Sequence, residues 1–279
     1  MRIIKTIAEL DDILKELDSA AKVSDDELRK LFDTFKMEFN TLVPKDPYSK
    51  EYSDFQFEIY SKISGKKYCI ENEISDFDLD AITKKPFPYC CSCTTAGSHF
   101  SLIAQAISVM NLKPNSRVIE LGAGWGNITL ILSMMGHDVT VIEINPKFCT
   151  LIGRRAGQVG TKIDIINDDF SYIEKVDRPA DAILFFESFH HTSDHVRIIK
   201  VLDKATTRGG KVFFASEPIT DDFPIPWGIR LDGQSLWSIR NFGWYEIGFN
   251  TRYFVRTLSK FGWSAHKNTT VWEASKTNA

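Results

Sequence analysis

Residues 118–130, VIELGAGWGNITL, leave this chain few folds to choose from. Val118, Ile119, Glu120 and Leu121 form a short, largely apolar run that ends on glycine, the pattern of a buried strand. Gly122, Gly124 and Gly126 then alternate with other residues, and the apolar periodicity predicts a helix from about Asn127. Glycine admits positive φ and lets a ligand approach the backbone, while the first turn of the following helix offers unpaired N–H groups and partial positive charge. Strand, glycine turn and helix together predict a ligand-binding unit. The spacing is GxGxG. A dinucleotide fingerprint wants its third glycine one place later, where this chain has Asn127.

From residue 116 onward strand-like and helix-like segments alternate. Strands are predicted at 117–121, 138–144, 162–166, 181–187 and 211–216, with helices over 127–135, 146–158 and 195–205 between them. Repeated βα units require right-handed crossovers and a parallel sheet, so the fold class is α/β, a doubly wound and mostly parallel sheet. A helix over 251–261 and a last strand around 268–272 close the chain, and a helix from Gly97 or Ser98 to Met110 precedes the first strand.

Residues 1–95 read as an N-terminal helical and irregular extension to a ligand-binding domain over 96–279. Ile3, Ile7, Leu10, Ile13, Leu14 and Leu17 recur at helical spacing, as do Leu28, Leu31, Phe32, Phe35 and Phe39, the latter behind a capping box of Ser24 and Glu27. Residues 44–88, rich in proline and aromatics, predict irregular structure with a short helix near 52–63. The extension is expected to form a lid or a dimer surface, which allows a homodimer. Residues 219–250, with their prolines and tryptophans, are too long for a simple connection, and long loops in compact domains are commonly functional, so the acceptor pocket is placed there.

With Glu120 just before the turn, GAGWG resembles motif I of the class I S-adenosylmethionine-dependent methyltransferases rather than an NAD site. That resemblance implies a Rossmann-like sheet of seven strands, S-adenosyl-L-methionine as cofactor and methyl transfer as the reaction. Glu143, at the end of VTVIEIN, stands where an acid accepts hydrogen bonds from both ribose hydroxyls, beside Ile144. Asp168 or Asp169, followed by Phe170, matches the place where the family holds the adenine; a helix N-cap is the other reading of Asp169. Thr94 and His99, on the helix before the first strand, match the methionine end, with Gly122, Gly124, Gly126 and Asn127 in the turn itself.

ESFHH, a following helix and an RGGKVFF strand resemble the small-molecule methyltransferase pattern. His190, His191 and Glu187 would then lie at the carboxyl ends of the strands, Glu187 beside the cofactor as well, and a histidine suits general-base work on a hydroxyl acceptor. His195, at a helix start, reads as structural. Arg230, Arg240 and Arg252 with Trp227, Trp237, Trp244 and Tyr245 supply forks for phosphate and flat faces for a sugar, so a phosphorylated or nucleotide-linked sugar is the expected acceptor; surface arginines and core aromatics are the bland reading. Short matches in PFPY, GSH, GAGWGN and ESFHH also resemble bacterial methyltransferases of surface-polysaccharide synthesis.

Composition bears on partners. A net charge of -3 with 25% charged and 43% hydrophobic residues points to neither nucleic acid nor an anionic membrane, and leaves a small molecule as substrate. Five cysteines, an odd number, favour a reducing compartment over a disulfide framework, and with no signal-peptide pattern the expected location is cytoplasmic. Cys90, Cys91 and Cys93 lack the second pair a zinc site wants, so His99 would have to be the fourth ligand; buried thiols are the default reading. Asp168, Asp169 and Asp194 do not specify a metal by spacing, and none is expected. Two alternatives share these features: an NAD-dependent oxidoreductase, and a non-catalytic scaffold that keeps the cofactor pocket.

Overall fold

The computed structural model describes residues 1–39, 42–85 and 92–277. In chain order the elements are β1 (Arg2–Ile4), α1 (Ile7–Ala21), α2 (Asp25–Phe32), β2 (Phe35–Met37), α3 (Lys50–Ser64), α4 (Leu79–Thr83) and α5 (Cys93–Met110). The alternating part follows as β3 (Arg117–Leu121), α6 (Asn127–Met134), β4 (Asp138–Ile142), α7 (Pro146–Val159), β5 (Asp164–Ile166), β6 (Ala180–Phe186), α8 (His195–Ala205) and β7 (Thr206–Ala215). Last come β8 (Ile219–Thr220), β9 (Trp227–Ile229), α9 (Gly233–Asn241), β10 (Ile247–Asn250), α10 (Thr251–Lys260), β11 (Trp263–Asn268) and β12 (Val271–Lys276).

The main sheet has seven strands in the order β11-β12-β7-β6-β3-β4-β5. β3 to β7 are parallel, and β12 runs antiparallel to both β7 and β11. This is the doubly wound, Rossmann-like sheet expected. β3, flanked by β4 and β6, is buried over 118–121, which is why it reads as a near-continuous apolar run. Strand order reverses between β3 and β6, and in open α/β sheets a ligand crevice opens at the carboxyl ends of the strands at that switch point.

Several boundaries differ from expectation. The N-terminal periodicities each merge a helix with a strand: Ile3 lies in β1, and Phe35 and Met37 lie in β2, which pairs with β1 in parallel. α1 starts later, at Ile7, under a capping box between Thr6 and Glu9. α5 begins at Cys93, where Ser92 caps it through the Thr95 N–H, rather than at Gly97 or Ser98. β7 starts at Thr206, directly after α8, and runs through Gly209 and Gly210. β11 was not expected and the last strand lies later than 268–272; in β11 only Trp263 is buried, so it has no apolar alternation to read.

Residues 219–250 are not a loop. They form β8, β9, α9 and β10, with a small sheet in the order β8-β10-β9. The N-terminal extension packs on this insertion in one shared core: Tyr52 Oη donates to the Trp227 carbonyl at 2.7 Å and Tyr60 Oη to the Gly243 carbonyl at 2.6 Å. Phe77 also reaches the parallel sheet's side, packing on Trp125 and Phe148 at ring-centroid distances of 5.1 and 5.0 Å. Extension and insertion thus wall the crevice. No helix among the described residues is long and apolar enough to cross a membrane.

Candidate functional site

The turn after β3 is built by three glycines with two different jobs. Gly122, Gly124 and Gly126 have φ of +74°, +51° and +72°. A Cβ on Gly122 would stand 2.8 Å from Ser188 Cβ, and one on Gly126 would stand 2.7 Å from Ile152 Cγ1, so these two allow close packing against the neighbouring chain. A Cβ on Gly124 would meet nothing within 4 Å, because that backbone faces the cavity. Glu143 sits across from it. Its Oε2 accepts the Gly124 N–H at 2.9 Å and its Oε1 accepts the Asn145 N–H at 2.8 Å. Burial raises the Glu143 pKa, and the N–H groups of Asn145 and Gly124 pull the other way.

Ile144, Asp169 and Phe170 line the same cavity, as do Thr94, His99 and Asn127, the last two in side-chain contact at 3.3 Å. Asp169 Oδ1 accepts the Ser171 N–H at 2.6 Å as an N-cap and still lines the cavity. Asp168 instead pairs with Lys175 at 3.3 Å, so the structure separates the two aspartates that the sequence left as alternatives. Glu120 is turned inward. It is 1% exposed, its carboxylate accepts the Thr129 hydroxyl, and burial pushes its pKa up to about 7, with Glu143 adding to the rise.

The cavity measures about 1450 Å³ and continues past the turn to the carboxyl ends of β6 and β7. There Glu187 and Ser216 hold φ of +51° and +57°. Left-handed backbone at non-glycine residues is strained, and such strain concentrates at functional sites. Glu187 Oε2 lies 3.5 Å from His99 Nδ1. His190 is held hard: Glu217 accepts N–H bonds from Ser188, Phe189 and His190 at 2.8, 2.8 and 3.1 Å, and its Oε2 lies 2.8 Å from His190 Nδ1. Burial would raise the Glu217 pKa, but His190 and those backbone N–H groups hold it below the usual range.

His191 stacks beside His190, with Nδ1 3.3 Å from Glu73 Oε2 at an angle that makes no hydrogen bond. Burial alone would lower its pKa; Glu73, Glu246 and Glu217 overcome that and hold it at about 9. Glu246 Oε2 lies 3.7 Å from His190 Nε2 and 3.4 Å from Arg230 Nη1. Sequence reading missed Glu73, Glu217 and Glu246. They reach the histidines from distant segments, and no spacing ties them together.

The acceptor residues divide. Arg230 and Trp237 line the cavity, together with Phe242 and Trp244. Arg230 already shares its fork between Asp232 and Glu246. Arg240 is spent on Asp11 and the Ile63 carbonyl, and Tyr245 is a fully buried core ring, so neither of these two is on the cavity wall. Trp227 is likewise core. His195 is structural as read: it lies 2.8 Å from Tyr253 Oη, and burial lowers its pKa to about 3. Cys93 is exposed, against the expectation of buried thiols; Cys90, Cys91 and the PFPY motif lie outside the described residues.

Comparison with known proteins agrees with this geometry. Residues 118–210 match the family model described as a methyltransferase domain. An uncharacterized methyltransferase of Geobacillus sp. (strain WCH70) is 27% identical over 124 residues, which span 44% of this chain and 57% of that protein. The ribosomal RNA small subunit methyltransferase A of Corynebacterium diphtheriae is 31% identical over 71 residues, 24% of each chain. The match thus spans about half or less of these curated relatives. In fold, a crystal structure of a mycolic acid cyclopropane synthase complexed with S-adenosylhomocysteine matches with a TM-score of 0.55 at 12% identity, over 73% of this chain and 78% of that one. Residues 118–210 thus match a methyltransferase domain, and the fold resembles that of the synthase.

Proposed function

We propose that the chain transfers a methyl group from S-adenosylmethionine to a hydroxyl oxygen of a small, polar acceptor such as a sugar or polysaccharide precursor. The observation that carries this reading is Glu143. Its buried carboxylate and the open Gly124 backbone share one wall of a cavity that runs on to the two histidines. Glu143 would take the ribose hydroxyls, Asp169, Ile144 and Phe170 the adenine, and the Gly122 to Gly124 backbone with Thr94 and His99 the methionine end. When bound, the sulfonium cofactor supplies an electrophilic methyl group.

The chain's own residues then have to align the acceptor in line with that methyl group, exclude water and draw off a proton. Trp237, Phe242 and Trp244 offer flat faces to an acceptor, and His190 and His191 with Glu246 form the polar wall that meets its hydroxyl. Charge narrows the acceptor. Acidic side chains far outnumber basic ones along the cavity, where Arg29, Lys30, Arg197 and Arg230, with His191 held protonated, are the described cations. That field favours a cationic cofactor and a neutral acceptor, and opposes a phosphate placed beside Glu73 and Glu246.

Calorimetry with S-adenosylhomocysteine tests the cofactor: binding by the wild type and its loss in Gly124→Arg are expected. No binding, or equal binding by the variant, overturns the reading. Release of S-adenosylhomocysteine, measured across a panel of neutral sugars and their phosphates, tests the acceptor. A preference for the phosphates would overturn the neutral class.

A further inference from the structure

We propose that His190, His191 and Glu246 bind one divalent transition-metal ion at the acceptor end of the cavity. One donor atom from each of the three lies within 4.8 Å of the others, and the residues are drawn from the turn after β6 and from the segment entering β10. Donors held about 2.1 Å from one ion in tetrahedral fashion lie about 3.4 Å apart. The pair His190 Nε2 and Glu246 Oε2, at 3.7 Å, is within a few tenths of an ångström of that, and the widest of the three separations, no more than 4.8 Å, would close by at most about 1.4 Å on binding.

Three further features favour an ion. The first is orientation: His190 presents Nδ1 to Glu217 at 2.8 Å, and Glu217 is itself fixed by three backbone N–H groups. Metal-binding histidines characteristically give their second nitrogen to a carboxylate in this way, which turns the other nitrogen toward the metal. The second is His191 Nδ1, which is enclosed and faces the Glu73 carboxylate at 3.3 Å without making a hydrogen bond to it. Buried polar atoms are rarely left so. The third is charge. Glu73, Glu217 and Glu246 are nearly or fully buried around two imidazoles, and the nearest guanidinium, Arg230, is shared with Asp232. A buried surplus of carboxylates is costly unless a cation meets it.

Two imidazoles and one carboxylate select a transition metal over magnesium or calcium, which prefer oxygen alone. Three protein donors leave open coordination positions, as catalytic sites do. The cavity lies on that side, so an oxygen donor can complete the shell. The inference rests on the proposed methyl transfer only for what that oxygen belongs to, the hydroxyl of the acceptor.

The test uses the untagged full chain, stripped by chelator dialysis and titrated with Co²⁺, whose ligand-field absorption reports imidazole ligation, and with Zn²⁺ counted by elemental analysis. One equivalent per chain is expected. Glu246→Gln and His190→Asn should each weaken binding by about tenfold or more, and Glu217→Gln, a positioning change, by about tenfold. Near-ultraviolet circular dichroism checks the fold of each variant. Absence of a stoichiometric site in the wild type overturns the proposal, as does binding unchanged in a His190→Asn, Glu246→Gln double variant. S-adenosylhomocysteine affinity, measured on the same samples, separates the two readings: metal bound without cofactor would sink the methyl transfer and leave the ion.

Discussion

Glu143 is where one side chain organises both the protein and the ligand it is proposed to hold. Each of its oxygens already accepts a backbone N–H, from Gly124 and from Asn145, which fixes the carboxylate before anything binds. In Glu143→Gln one oxygen becomes an amide NH2 that must face an N–H donor, and the charge is lost. Hydrogen bonds to a charged group contribute about 1.5–3 kcal/mol, so the S-adenosylhomocysteine Kd should rise at least about tenfold, read by calorimetry. An unchanged Kd would remove Glu143 from the site. Glu120, two residues before Gly122, has a different task, and its folded-state pKa of about 7 lies above the ordinary 4.5. The folded chain therefore holds that proton more tightly than the unfolded chain. The stabilisation is complete below about pH 4.5 and is lost as pH rises through about 7. Between pH 5 and pH 8 the wild type should lose about 2.5 kcal/mol from this group, and Glu120→Gln should flatten that part of the slope in urea unfolding. Glycines, Glu143 and the aspartate pair were legible in the sequence because each stands at a fixed offset from a strand end. Glu73, Glu217 and Glu246 were not, because only the folded chain brings them to one place.

Elements show the same division between local and distant causes. The βα units from β3 to β7 could be read because the inner strands β3, β4 and β6 are buried by their neighbours and the helices between have caps or stops of their own. Asn145 caps α7 through the Lys147 N–H with Pro146 at the first turn, and Gly160 closes that helix at φ +71°. The short pair β1 and β2 escaped notice, since three residues in each carry too little pattern to interrupt a helical periodicity. The insertion escaped for another reason: β8, β9 and β10 are held by pairing with one another and by the extension, not by local propensity. Packing between elements also sets a test. α6 begins at Gly126, whose place against Ile152 of α7 has no room for a methyl group. Gly126→Ala should cost about 1–3 kcal/mol through overpacking and strained φ, seen as a lower urea midpoint. A Gly126→Ala, Ile152→Ala double variant should lose less than the sum of the two single losses, because the second change empties the space the first one fills. Additive losses would show that the contact does not limit the approach of α6 to α7.

At the scale of the whole molecule, the decisive property is the field inside the crevice. The chain as a whole is near neutral, at -3, so its surface charge has little to say about ligands. The crevice differs, because the extension brings Asp25, Asp26, Asp33, Glu73 and Asp76 to the same cavity as Glu187 and Glu217 from the main sheet and Glu246 from the insertion. Low-dielectric walls focus such a field, so it acts on the charge of a ligand more strongly than the same residues would on an open surface. S-adenosylmethionine carries a sulfonium charge and its product does not, so the crevice should favour the substrate and let the product go. Salt distinguishes this from shape. Screening shortens from about 10 Å at 0.1 M to about 3 Å at 1 M, which leaves contact interactions in place and removes the longer-range share of the field. Raising ionic strength across that range should therefore weaken S-adenosylmethionine more than S-adenosylhomocysteine, moving their affinity ratio by about twofold or more. Equal weakening of the two would mean that the acids are neutralised within the fold, by protons or by the ion proposed at His190, His191 and Glu246. Repeating the titration with the chelator-stripped and the Zn²⁺-loaded chain would then tell which, because only a bound ion makes the salt response depend on loading.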